Sequence, residues 1–211
     1  MTVSGAWSLS ALESAAAVLS DGGFVVHPTE TVYGVGCRVD GAGVPRLKRA
    51  KRRSSGGFVV LVPGLEYARD LLGPSGVLLA EAFWPGALTL VCRDDRDRFP
   101  REVKADDGSV AIRVCGHEGT RELVARFGHP ITSTSANPPG EPPARTLTDA
   151  VKACDAMGLA TFGLDGGPLP GQPPSTIVDV RRDRWTAIRS GAVSLNRLRS
   201  VAGAQEAPKG A

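Results

Sequence analysis

Short β-branched runs alternate with amphipathic stretches along most of this chain, and that alternation predicts an α/β protein, one sheet covered by helices. Two further observations refine the expectation. Three closely spaced strand-like runs near the end, "ATFGL", "STIVDV" and "WTAIR", make the sheet mixed rather than purely parallel. Glycine and proline, 26 and 16 of 211 residues, gather in connections beside strand ends, where open α/β sheets hold ligands.

Taken in order, "SALE" at 10–13 reads as a capping box, with Ser10 and Glu13 placed to satisfy free amides. Leu12, Ala15, Ala16 and Leu19 follow at helical spacing until Asp21-Gly22-Gly23 stops the turn. The apolar run "FVVH" is then a strand, and "HPTETVYGVGC" behind it reads as a hydroxyl-rich loop. A basic helix is expected over 44–53, a strand at "FVVLV" (58–62), and helical stretches near 65–72 and 75–83. Strands at "ALTLVC" (87–92) and "SVAIRV" (109–114), a helix near 119–127 and a short strand at 130–132 come next. A Pro-rich turn after residue 140, a helix near 148–157 and the three late strands complete one domain over 8–198. Residues 199–211 read as a flexible tail.

The charge balance, 25 basic against 22 acidic residues, announces no polyanion by itself. Its distribution is more telling: "RLKRAKRR" at 46–53 and "RRDR" at 181–184 are local basic patches suited to phosphate. Four scattered cysteines, Cys37, Cys92, Cys115 and Cys154, form no CxxC pair, which suits reduced, buried thiols in a cytoplasmic protein. His27, His117 and His129 have no metal-ligand spacing, so no metal site is expected from protein side chains. No run approaches the roughly 20 apolar residues of a membrane span, and the N-terminus lacks a basic segment ahead of a long apolar core.

Five segments share one chemical character: "PTETVYG", "KRR", "AIRV", "STSAN" and "PSTIVDV" with "AIRSG". Each sets hydroxyls or a guanidinium at a strand end or a strand-adjacent turn. Together they form a cationic, donor-rich inventory with no evident nucleophile–base pair, which fits phosphate oxygens and carboxylates. Neither GxxxxGK[ST] nor GxGxxG follows a strand here. From the residues alone the reading is an anionic ligand, a nucleotide together with a carboxylate. Each segment also has a plainer role: capped loops, a solvated helix face, a strand running into an Asx turn, or arginines in structural ion pairs.

In order and spacing, "HPTETVYGVGC", the K-x-R of "KRR", "FWPGALTLV", "SVAIRV", "ITSTSANPPG", "PSTIVDV" and "AIRSGAVS" resemble the YrdC-like family of threonylcarbamoyl-adenylate synthases, in its short single-domain form. The resemblance implies a twisted mixed sheet with flanking helices and a concave cationic pocket. It implies an enzyme, a nucleotidyltransferase that joins ATP, L-threonine and bicarbonate or CO2 into L-threonylcarbamoyl-adenylate and releases pyrophosphate. Downstream transferase proteins would use that product to make N6-threonylcarbamoyladenosine in tRNA.

Carried over by position, Thr29, Thr31, Arg113, Ser133 and Ser175 would hold L-threonine. Lys51, Arg53, Ser109, Ser135, Asn137 and Arg189 would line the ATP site, with Lys51 and Arg53 as catalytic residues and Mg2+ arriving with ATP. The chain departs from the family pattern in "KRRSSGGFVVLVP", which lacks the usual Asn-Pro-Leu and a histidine near Val62, and at Pro143, where relatives carry a hydroxyl. An alternative function is a non-catalytic RNA-binding module that contacts tRNA through the 46–53 patch. A carbamoyl-adenylate enzyme of secondary metabolism is a third.

Overall fold

The structure, a computed structural model, describes residues 2–4 and 7–203. In chain order its elements are β1 (Thr2–Ser4), α1 (Leu9–Ser20), β2 (Phe24–Pro28), β3 (Tyr33–Gly36), α2 (Gly43–Ala50), β4 (Val59–Leu61) and α3 (Leu65–Ala68). There follow α4 (Pro74–Phe83), β5 (Leu88–Cys92), β6 (Val110–Arg113), α5 (Glu118–Phe127), β7 (Ile131–Ser135) and α6 (Leu147–Ala156). The chain closes with β8 (Thr161–Leu164), β9 (Thr176–Asp179), β10 (Thr186–Arg189) and α7 (Leu195–Ala202). Among the described residues these strands form one sheet in the order β1-β8-β2-β3-β7-β4-β6-β5-β9-β10.

The sheet is mixed, as expected. β8 runs parallel to both β1 and β2, and β4/β6 and β5/β9 are also parallel. β2/β3, β3/β7, β4/β7, β5/β6 and β9/β10 are antiparallel. Helices cover both faces, which is why the central strands are continuously apolar rather than alternating. In β2, Val25 joins a cluster with Leu12, Leu19, Leu123 and Val124 of α1 and α5. Its neighbours Phe24 and Val26 belong to the larger cluster with Leu47, Leu79, Leu147 and Leu198 of α2, α4, α6 and α7. Each such fully buried side chain contributes about 1.5–3 kcal/mol.

Four local expectations are corrected. The cap of α1 is Ser8, whose hydroxyl accepts from the Ala11 amide at 3.2 Å, so Ser10 lies inside the helix and Glu13 closes no capping box. The stretch after β2 is a strand, β3, and its two glycines mark a close approach. A Cβ on Gly36 would stand 2.0 Å from the Thr132 carbonyl oxygen of β7. Helix α2 stops at Ala50 rather than residue 53: Arg52 is left-handed (φ 48°), and the Arg52 and Arg53 amides donate to the Arg49 and Lys48 carbonyls at 2.9 and 3.0 Å. That is a Schellman end with arginine in the position glycine usually takes. Finally, α7 continues to Ala202, so residues 199–202 are helix, while 204–211 lie outside the described residues.

Candidate active site

The turn joining β2 to β3 explains the hydroxyls that follow the first strand. The Thr29 hydroxyl accepts from the Thr31 and Val32 amides, both at 3.1 Å, donates to the Val32 carbonyl at 2.8 Å, and lies 2.9 Å from the Thr31 hydroxyl. Thr29 therefore builds the turn, and Thr31 is carried on it. Across the sheet, Ser133 and Ser135 stand two apart on β7 and share a face. Gly34 of β3 leaves the space beside them open: a Cβ there would meet the Ser133 hydroxyl at 3.0 Å.

Three arginines converge on the same space from different elements. Arg53, released by the Schellman end of α2, donates to the Gly57 carbonyl at 2.6 Å and lies 4.7 Å above the Phe58 ring. Arg113, the last residue of β6, donates through Nε to the Gly86 carbonyl at 2.9 Å and through Nη2 to Glu30. Arg189, the last residue of β10, donates to the Ser175 carbonyl at 2.8 Å and reaches its hydroxyl at 3.3 Å. Behind Ser175 lies the fully buried Thr89, hydroxyl to hydroxyl at 2.9 Å.

These groups bound one cleft of about 520 Å3, whose walls include Thr29, Thr31, Arg53, Ser109, Arg113, Ser133, Ser135, Ser175 and Arg189. Pro143 is on the wall too, with Phe58, Pro174, Ile177 and Ile188 as an apolar flank. Two expected residues do not reach it. The Lys51 ammonium is drawn behind the wall by the carbonyls of Ser135 at 2.9 Å and Asn137 at 2.6 Å. The Asn137 amide turns onto the Pro138 and Glu141 carbonyls at 3.1 and 2.6 Å, where it shapes the loop after β7.

Electrostatically the cleft holds cations at some cost. Burial lowers the pKa of Arg53, and burial with Arg113 nearby lowers that of Arg189. Lys51 falls to about 8 through burial and the neighbouring Arg53. An anion entering the cleft restores what these groups lack. Covalent chemistry is not prepared: burial pushes the thiols of Cys92, Cys115 and Cys154 up to about 12 and Cys37 to about 11. His27 is fully buried, with neither ring nitrogen bonded to a protein group.

Sequence reasoning missed Glu30, Asp107, Thr89 and the Gly57-Phe58 seat of Arg53. Asp107 accepts from the Ser109 hydroxyl at 2.6 Å and its amide at 3.0 Å, and pairs with Arg181. Those bonds hold its pKa at about 2. The spacing Asp107-Gly108-Ser109 is the Asx-turn signal that could have found it. Asp107, Ser109 and Arg181 also border a neighbouring groove of about 780 Å3, larger but occupied by its own ion pairs, Lys104 with Asp94 and Asp97 and Arg181 with Asp179.

The chain is 33% identical over 204 residues to the threonylcarbamoyl-AMP synthase of Bacillus subtilis (strain 168), covering 94% of this chain and 58% of that protein. It is 36% identical over 176 residues to the threonylcarbamoyl-AMP synthase of Chromohalobacter salexigens, covering 81% of this chain and 92% of that one. The crystal structure of P. abyssi Sua5 complexed with L-threonine superposes with a TM-score of 0.85 at 27% identity, over 96% of this chain and 60% of the other. The chain thus spans about three fifths of the length of the longer relatives. No helix among the described residues is long and apolar enough to cross a membrane. With the Sua5/YciO/YrdC family model, described as telomere recombination, matching residues 17–191, the chain belongs to that family.

Proposed function

We propose that this protein is a nucleotidyltransferase that makes L-threonylcarbamoyl-adenylate from ATP, L-threonine and bicarbonate or CO2. The observation that carries the reading is the convergence of Arg53, Arg113 and Arg189 with Ser109, Ser133, Ser135 and Ser175 on one cleft, without an activated nucleophile. The names of the two bacterial relatives and the L-threonine complex of P. abyssi Sua5 support it. In this reading the threonine amine adds to CO2, losing a proton to form a carbamate. The carbamate oxygen then attacks the α-phosphorus of ATP, and pyrophosphate leaves with the bonding electrons.

The chain's own part is orientation and charge. Arg113 and Ser175 hold the threonine carboxylate, with Thr31 and Ser133 beside the amino acid. Arg53, Ser109, Ser135 and Arg189 face the nucleotide, and Lys51 and Asn137 act from behind the wall by holding the Ser135 loop. Positioned donors of this kind act on charge as it develops, in a site that excludes water. Magnesium belongs to the nucleotide substrate, since Asp107, the acid on the wall, is already bound to Ser109 and Arg181. The product is passed to transferase proteins that modify tRNA in the cytoplasm. The RNA-binding alternative is weaker: in the 46–53 patch Arg46 covers the Phe24 ring at 4.9 Å, and Lys51 and Arg53 turn inward.

Pyrophosphate release by the purified chain, with ATP, magnesium and bicarbonate, tests the proposal. Release is expected only with L-threonine, and an Arg53→Ala variant is expected to lose about 100-fold or more. Release indifferent to threonine would sink the assignment.

A further inference from the structure

Glu30 sits between the two turn threonines, does not line the cleft, and has no part in the chemistry above. It is nonetheless bonded on three sides. One carboxylate oxygen accepts from Arg113 Nη2; the other accepts from the Gly116 amide at 3.0 Å and lies 3.6 Å from the Cys115 thiol. The loop after β6 is shaped around it: a Cβ on Gly116 would stand 2.7 Å from the Glu30 carboxyl carbon, so glycine permits the approach. Burial alone would raise this carboxyl, yet Arg113 and the Gly116 amide hold it below its ordinary value.

The consequence falls on Arg113. A guanidinium is a flat fork of five N–H donors, and its recognition of a carboxylate depends on which edge is presented. Here Nε is fixed by the Gly86 carbonyl and Nη2 by Glu30, so two of the three nitrogens of the fork are held. Nη1 has no protein partner among the described residues, and the side chain is on the cleft wall. Among the described residues Arg189 has no such acid and rests on the Ser175 carbonyl instead. The two arginines therefore differ: one is held by a half-buried carboxylate, the other by neutral acceptors it can exchange.

We propose that Glu30 is a positioning residue that locks Arg113 with a single donor edge toward the cleft, making that arginine the fixed receptor for a substrate carboxylate. This rests on the reading that the cleft takes L-threonine. Because Glu30 is part of the same turn as Thr29 and Thr31, the β2–β3 turn and the end of β6 are coupled into one amino-acid subsite. Arg189 stays adjustable for the other reactant.

The test compares wild type with Glu30→Gln, which keeps shape and loses charge, and with Glu30→Asp, which keeps charge and shortens the reach. Crystal structures of the wild type and Glu30→Gln report the guanidinium directly. Arg113 is expected to leave the Gly86 carbonyl in the variant; an unmoved guanidinium overturns the proposal. Calorimetry with L-threonine and with L-threoninol, which lacks the carboxylate, supplies the functional arm. Glu30→Gln is expected to weaken L-threonine about tenfold, to leave L-threoninol unchanged, and to add little to the loss caused by Arg113→Ala. Glu30→Asp is expected to recover part of the loss. Equal weakening of both ligands, or full additivity with Arg113→Ala, overturns it. A wild-type protein that binds no L-threonine would remove the substrate assignment, and the crystal structures would then decide the role of Glu30 alone.

Discussion

His27 is enclosed by protein, with its ring against Gly34 and Gly36 and within reach of the charges of His117 and Arg113. Burial is the largest cause that pushes its pKa down to about 4, with the two cations adding and the Pro28 backbone opposing. The folded protein binds this proton less readily than the unfolded chain does. The stability that depends on neutral His27 is therefore complete above about pH 6.5 and is lost as pH falls toward about 4. Urea unfolding is expected to show about 2 kcal/mol less stability at pH 4.5 than at pH 7 from this group, and His27→Phe should flatten that part of the profile. A slope unchanged in the variant would mean that other groups carry it. Arg53 and Arg189 tell a related story: burial disfavours the charge of each, and an anion in the cleft relieves it.

At the level of elements, the turns place the chemistry. Helix α2 presents its basic residues to solvent, but its Schellman end sends Lys51 and Arg53 inward through the left-handed Arg52. A non-glycine residue in that conformation costs about 1–2 kcal/mol. Arg52→Gly should therefore raise stability by up to about 1 kcal/mol by urea unfolding, with pyrophosphate release retained; a loss would show that Arg52 has contacts of its own. Strand β3 makes the opposite demand. Gly36→Ala would force a methyl into the Thr132 carbonyl at 2.0 Å, parting β3 from β7. A loss of about 3 kcal/mol or more is expected, together with loss of L-threonine binding, because the turn threonines and Ser133 are joined across that seam.

On the scale of the whole molecule, the sheet brings together residues more than 150 positions apart, from Thr31 on the β2–β3 turn to Arg189 on β10. Because Arg113 and Arg189 share the cleft, an anion bound at one relieves the other. ATP and L-threonine should accordingly bind interdependently, each raising the affinity of the other by the same factor; independent binding in calorimetry would argue against a shared cleft. The end of the sheet that carries Arg189 depends on α7. Leu198 is fully buried there, and the buried Trp185 donates to the Gly203 carbonyl at 3.2 Å. Leu198→Ala should cost about 2–5 kcal/mol and move tryptophan emission to the red.

The sequence alone determined the fold class and most strands and helices, because apolar periodicity is a local pattern, and its hydroxyl- or arginine-bearing strand ends pointed to an anionic ligand. It also carried the family resemblance, through motifs in order. Only the tertiary structure decided the rest. β3 was unreadable because Gly34 and Gly36 look like loop until β7 and His27 are seen pressing against them. The cap of α1 lay two residues earlier than the Ser-Glu pattern suggested, since where the chain enters the helix is set by its packing. Lys51 and Asn137 could not be told from wall residues, because their partners lie on the loop after β7, more than 80 positions from Lys51. Glu30 and Thr89 escaped for the same physical reason: each acts through a contact made across the sheet, and such a contact leaves no periodic trace in the chain; Asp107 did carry a local Asx-turn signal, and only its pairing with Arg181 needed the tertiary structure.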